Sequence, residues 1–256
     1  LDPCPEWVSL GLEELINSKN WEELNDRFHR NLAFGTGGMR GRTIGKIITS
    51  TERGPSKDGE TPAFACVGSN TLNEFTLLRA TKALYNYLNK WMQQRGILEQ
   101  PRLVVAYDVR HFSPKFSEIV SKAWAKMGGY AMVFDGPRST PQLSFTVRHR
   151  YAHAGVVITA SHNPFHDNGF KAYFGDGAQL VPPHDHGVVE EYNRINLSEV
   201  SHWLQEDGLT GVEVAVLPTH DDMAYKGALE DAVLNPDLLK TNAPKIVFTP
   251  IHGTGA

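Results

Sequence analysis

A chain of 256 residues, 41% hydrophobic, carries 25 basic and 29 acidic residues for a formal charge of −4. That length allows one large domain or two modest ones, and the slight acidity argues against nucleic acid as the main partner. Two cysteines, Cys4 and Cys66, are too few for a disulfide framework or a zinc cluster and fit a reducing, cytoplasmic setting, while no apolar run approaches the roughly 18 residues of a membrane-spanning helix.

Residues 6–32 place Trp7, Leu10, Leu12, Leu15, Ile16, Trp21, Leu24, Phe28 and Leu32 among charges, which predicts two short amphipathic helices. A glycine-rich loop is expected over 35–45. The breaker-rich run 51–62 (TERGPSKDGETP) reads as a surface loop. Thr71-Leu72-Asn73-Glu74 has the form of a capping box. The helix it opens shows Leu77, Ala80, Leu84, Leu88 and Trp91 on one face and meets a stop at Gly96. Strands are expected over 103–107, 131–134 and 155–159, with helices over 114–127 and 142–149 between them. Strands alternating with helices predict a βαβ layout and a largely parallel sheet. Residues 198–244 are polar and weakly periodic, with one helix near 220–233, and Ile246-Val247-Phe248-Thr249 reads as a clean strand. A strand and half a loop cannot bury a core. The expected division is therefore a domain over 1–197, then a linker and the incomplete start of a second domain over 198–256.

The run Thr159-Ala160-Ser161-His162-Asn163-Pro164 follows the apolar stretch Gly155-Val156-Val157-Ile158. Ser161 thus stands where a strand ends and the chain turns, the place where α/β sheets meet their ligands. It is a candidate nucleophile or phosphate carrier, with a polar turn as the alternative. His162 and Asn163 would orient the serine loop, and a purely structural Asn163 is the alternative. Lys171 can serve as a general acid or base if burial or a nearby cation lowers its pKa; the alternative is a solvent-facing strand lysine. Arg40 follows Gly37 and Gly38, glycines that let a backbone approach phosphate, and its guanidinium fits phosphate bidentately. The alternative is a surface arginine in a turn. Gly35 and Gly37 begin a dinucleotide-type GxGxxG, but Arg40 occupies the third glycine position. Asp167, His166 and His184 to His186 are too irregularly spaced to suggest a metal cluster. A serine hydrolase would need a GxSxG elbow, and Ala160 and His162 flank this serine instead.

Four stretches, in order, resemble one family. They are Phe34 to Gly41 (FGTGGMRG), Ala106-Tyr107-Asp108-Val109-Arg110 with Ser113, Ser139 to Arg148 (STPQLSFTVR), and the run from Thr159 through Lys171 to Gln179. The chain is thereby identified as similar to the N-terminal part of the α-D-phosphohexomutases, the phosphoglucomutase and phosphomannomutase superfamily. The resemblance is strong over roughly residues 30 to 190 and moderate over Lys245 to Gly255. It implies a three-layer α/β/α domain with a mostly parallel mixed sheet, plus the beginning of a second similar domain. It implies a phosphoryl group on Ser161, proton transfer near Lys171, and phosphate contact at Arg40. Asp108 and Arg110 match a family pair, read here as an ion pair that shapes the site. His252-Gly253-Thr254-Gly255 resembles a turn after the first strand of the second domain. The implied reaction interconverts hexose 1-phosphate and 6-phosphate through a 1,6-bisphosphate, with glucose first and pentose or mannose phosphates open. Mg²⁺, bound through the Ser161 phosphate and aspartates beyond Ala256, and glucose 1,6-bisphosphate as activator, are implied cofactors. The chain is expected to be a fragment of a longer enzyme, with little activity alone; a non-catalytic sugar-phosphate-binding module is the other class.

Overall fold

Two helices open the chain, α1 (Glu6–Asn17) and α2 (Trp21–Phe28), as the spacing of their apolar residues predicts. The computed structural model describes residues 4–35, 37–205, 208–241 and 244–255. There follow β1 (Gly38–Arg42), α3 (Ser50–Arg53), α4 (Glu74–Gln94), β2 (Arg102–Tyr107), α5 (Ser113–Lys126), β3 (Tyr130–Val133), α6 (Thr140–His149), β4 (Ala154–Ile158) and β5 (Asp167–Phe174). Then come α7 (His184–Arg194), α8 (Ser198–Ser201), a single 3-10 turn (His202–Leu204), β6 (Ala215–Val216), α9 (Thr219–Asp231) and α10 (Pro236–Thr241).

The six strands form one sheet in the order β1-β5-β4-β2-β3-β6. The β4-β2-β3-β6 half is parallel, because each connection crosses over through a helix. β4 and β5 are joined by only the 159–166 segment, too short for a crossover, so β5 runs antiparallel to β4, and β1 antiparallel to β5. The mixed sheet is covered on both faces. On one side Leu77, Leu84 and Leu88 of α4, Phe116 and Trp124 of α5, and Val188 and Tyr192 of α7 pack on Leu103, Val105, Val156, Ile158 and Phe170. On the other, Leu143 and Val147 of α6 pack on Val104, Ala106, Val157 and Tyr173. Alternate residues of one strand thus serve opposite cores, as the period of two requires.

Four differences from the sequence expectations have plain causes. The helix after Thr71 is capped by Asn73, whose side chain accepts from the Phe75 and Thr76 amides at 3.1 Å each, with Thr76 returning the bond. Thr71 instead turns inward to the carbonyls of Cys66 and Gly68. The expected loop over 35–45 contains β1, a glycine-rich strand that finds a ladder on β5. The expected loop over 51–62 begins inside α3, which the Thr49–Glu52 capping box opens. Ile246–Thr249 is not a strand: it has no ladder among the described residues, and Val247 is 97% exposed. A strand's backbone groups need a neighbour, and none is at hand.

Residues after 197 also pack on this domain. Val200 and Trp203 join the first core and β6 extends the sheet beside β3. α9 is then clamped along α6 by consecutive acids. Asp221, wholly buried, takes two bonds of 2.6 Å from Arg150, and Asp222 two of 2.8 Å from Arg138, which flanks the other end of α6.

Candidate active site

The parallel strands β2 and β4 end side by side, at Tyr107 and Ile158. The residues that follow them meet. Asp108 donates its amide to the Ile158 carbonyl at 3.1 Å, and the chain from Thr159 to His166 loops over this end of the sheet. The loop is held by one guanidinium. Arg110 Nη1 donates to the carbonyls of Pro164 (2.8 Å) and Asp167 (3.0 Å). Its Nη2 donates to those of Ser161 (2.8 Å) and Asn163 (2.7 Å). Its Nε faces Asp108 Oδ2 at 3.3 Å. The four Nη–H groups of the planar fork are thereby used on carbonyls, with the Asp108 carboxylate paired beside Nε. Asp108 is fixed in turn by the Arg110 amide (3.0 Å) and the Ser113 hydroxyl (2.8 Å). Ser113 also receives a bond from buried Asn168, so β5, α5 and the loop share one network.

Within this collar Ser161 is exposed and has φ of 57°, a left-handed conformation that costs a non-glycine residue free energy. Its amide donates to Thr159 Oγ1 at 3.0 Å, closing a tight local turn. The strained backbone presents the hydroxyl outward at the sheet's end. His162 is exposed, with Nδ1 3.5 Å from Ser161 Oγ, a distance too long for a strong hydrogen bond. Asn163 Nδ2 donates to Asp167 Oδ2 at 3.0 Å, bridging the ends of the loop.

Lys171 lies on β5 opposite Val157 of β4 and Gly38 of β1. Its neighbours Phe170 and Ala172 serve one core, so Lys171 shares the other face with Val157. It is half-buried. Burial first, then Arg40, holds its ammonium below the ordinary lysine value, against an opposing pull from Asp108. Arg40 is exposed on β1 opposite Gly169, whose amide lies next to the buried Asn168. The glycines before it have a different use from the one expected. Gly38 N–H is donated to the Gly35 carbonyl, so it is not offered to a phosphate. A Cβ at Gly38 would overlap the Phe170 carbonyl oxygen, and one at Gly37 the Gln179 side chain. Both lie at positive φ, 150° and 73°. They let β1 close on β5 and so place Arg40 opposite Gly169.

A cavity of about 610 Å³ opens at the serine. Its wall includes Asp108, Arg110, Thr159, Ser161 and Asn163, the start of α6 at Ser139 and Thr140, and His252 to Thr254. Sequence reasoning did not single out Arg138, His111 or Phe165, which also line it. Neither Lys171 nor Arg40 forms its wall; they stand one and two strands away. Among the described residues no group of three or more His, Cys, Asp or Glu could hold a metal ion. Asp108 and Asp167 are committed to the bonds above, so the residues present do not themselves fit a magnesium site.

An exposed serine thus stands on a strained, clamped loop at the end of a mixed α/β/α sheet. The profile of phosphoglucomutase/phosphomannomutase, alpha/beta/alpha domain I, matches residues 65–199, and the chain belongs to that family. A phosphoglucomutase of Staphylococcus epidermidis is 34% identical over 97% of this chain and 40% of its own length. A phosphopentomutase of Mus musculus is 29% identical over 97% of the chain and 37% of its own. The chain thus spans well under half of the curated relatives it matches. Among solved structures, a Thermus thermophilus protein assigned as a phosphomannomutase aligns with a TM-score of 0.56 at 24% identity, covering 80% of this chain and 36% of that one, which speaks to the fold.

Proposed function

We propose that this chain is the phosphoserine-bearing part of a sugar-phosphate mutase, interconverting hexose 1-phosphate and hexose 6-phosphate, with glucose the first choice of sugar. The observation that carries the reading is Ser161 itself: exposed, left-handed, and fixed through its own carbonyl by Arg110. A residue held in strain by a saturated network is held there for a purpose. In the reading, the bond between Ser161 Oγ and phosphorus breaks as a sugar hydroxyl attacks phosphorus. The hydroxyl's proton leaves to a base, and a sugar bisphosphate forms. In the return step the other phosphoryl group passes to Ser161.

Lys171 is the residue proposed to hold or return the proton, because burial and then Arg40 lower its pKa from the ordinary lysine value. Arg40 is proposed to meet phosphate oxygens; it is exposed on the same face. Asn163 keeps the loop in shape through Asp167, and His162, exposed beside the serine, is proposed to meet the phosphate there. Arg110, its four Nη donors spent on loop carbonyls, is proposed to hold the loop and not the phosphate. Dependence on Mg²⁺ and activation by glucose 1,6-bisphosphate belong to this proposal, with phosphorylated Ser161 the one metal donor the chain would add.

The relatives divide between hexose and pentose substrates by name, phosphoglucomutase on one side and phosphopentomutase and phosphoribomutase on the other. That division supports a ribose or deoxyribose phosphate as the second reading. Incubation with glucose 1,6-bisphosphate or ribose 1,5-bisphosphate, followed by mapping of phosphate on tryptic peptides, tests both. Phosphate on Ser161 from one donor names the sugar class, and phosphate from neither donor contradicts the proposal.

A further inference from the structure

Phe165 belongs to the serine loop but has no part in the chemistry above. Its ring is 70% exposed, on a segment whose backbone is otherwise firmly held. Arg110 Nη1 takes the carbonyls of Pro164 and Asp167, on either side of the residue, and Thr43 N–H takes that of His166 at 2.7 Å. The ring is also fixed in angle. It meets His111 at 6.2 Å and 71°, and His166 at 5.4 Å and 76°, so neither imidazole stacks flat upon it. The result is an aromatic surface on a held backbone, left open to solvent.

Phe165 stands between the cavity of Ser161 and a second one walled by Ile44, Ile48 and Pro62, and lines both. Among the described residues lining the Ser161 cavity it is the one phenyl, phenol or indole ring; the rest of that wall is mostly polar, with Asp108, Arg110, Arg138, Ser139, Thr140 and Asn163. A single exposed aromatic elsewhere would call for no account. Here it stands four residues from Ser161, on a loop held by the Arg110 fork, in a wall where polar side chains outnumber the apolar Val109, Pro141 and Val157. Ligand pockets combine an apolar anchor with a few placed polar groups. A sugar ring is the complementary object, with one face of C–H bonds and an edge of hydroxyls.

Building on the reading of Ser161 as a phosphoryl carrier, we infer that Phe165 is a substrate-positioning residue. Its ring takes the C–H face of the sugar phosphate and sets which hydroxyl comes up to Ser161. Burial of an aromatic surface of this kind supplies affinity without charge, so the contribution belongs to sugar binding and not to phosphoryl transfer itself.

The test compares two phosphoryl donors in the protein at its natural length, reading phosphate on Ser161 by peptide mass spectrometry. Glucose 1,6-bisphosphate carries a ring; acetyl phosphate does not. For Phe165→Ala the half-saturating concentration of the bisphosphate rises about tenfold or more, while the maximal extent and the rate from acetyl phosphate stay as in the parent. Phe165→Tyr restores the parent value. Equal slowing with both donors would mean that the ring only shapes the serine loop, and no change with either would mean that it touches no substrate; both overturn the inference. If the parent protein takes phosphate from neither donor, the transfer reading has failed, and titration with glucose 1-phosphate decides the ring alone. Weaker binding by Phe165→Ala sustains the inference, and unaltered binding ends it.

Discussion

Arg110 donates to the Ser161 carbonyl at 2.8 Å, and by that bond an arginine on one strand end controls the backbone of a serine on the next. The control is geometric. The four Nη–H groups are spent on loop carbonyls and Nε faces the Asp108 carboxylate, so the guanidinium is turned to the loop. A lysine offers three donors from one point and cannot reproduce the fork. Arg110→Ala therefore lowers the rate of phosphate loading on Ser161 roughly a hundredfold, the scale set by misplacing a reacting group by about 1 Å. Arg110→Lys gives nearly the same loss, and added guanidine partly restores the alanine variant. Loading of Arg110→Lys at the parent rate would show that charge, not geometry, is what the position supplies.

The strain at Ser161 has its own signature. Glycine adopts φ of 57° freely, whereas alanine keeps the Cβ that makes it costly. Ser161→Gly and Ser161→Ala both lose the phosphate acceptor, yet the glycine variant is more stable by about 1 kcal/mol. Thermal melts of the two proteins check this. An alanine variant that melts at or above the glycine variant would mean that the left-handed turn is not under strain.

Gly38 tests how β1 reaches the site. At φ of 150°, with the Phe170 carbonyl where a Cβ would go, alanine has no room, and the obstacle is backbone in mid-sheet. Gly38→Ala costs on the order of 3 kcal/mol or more of stability, and displaces Arg40 with the strand. A denaturant midpoint close to the parent's would contradict the strand pairing Gly38 to Lys171.

Lys171 gives a pH dependence of definite sign. Its folded pKa lies below the free lysine value, through burial first and Arg40 second. Below the folded pKa both states carry the proton, and the folded state bears the full cost of the buried charge. As pH rises from the folded pKa to the unfolded one, only the unfolded state still holds the proton, so stability rises across that window. Relative to Lys171→Met, the parent protein gains stability as pH is raised toward that of free lysine, and loses the gain on return to neutral pH. Parallel stability curves for the two proteins would show Lys171 to be unperturbed.

Much of this was legible in the residues. The Val and Ile runs of β2 and β4 have the apolar content of strands buried on both faces, and the turn at Ser161 to Pro164 marks where β4 must stop. What the sequence could not display was pairing at a distance. β1 has little apolar character, because its glycines serve a close approach to β5 that shows only once β5 is in place. The Arg110 collar joins carbonyls 51 to 57 residues away, and backbone carbonyls have no residue type to read. Ile246–Thr249 misled in the opposite sense: its composition is that of a strand, but composition cannot supply the neighbour a strand needs.

The proposed function requires Ser161 to carry a phosphoryl group for exchange with a sugar phosphate. The most direct measurement is peptide mass spectrometry of the protein after incubation with glucose 1,6-bisphosphate and Mg²⁺, and again after a chase with glucose 1-phosphate. The account predicts phosphate on the peptide containing Ser161, lost in the chase and absent from Ser161→Ala. Phosphate on another residue, or none on Ser161 with any hexose or pentose bisphosphate, would contradict it.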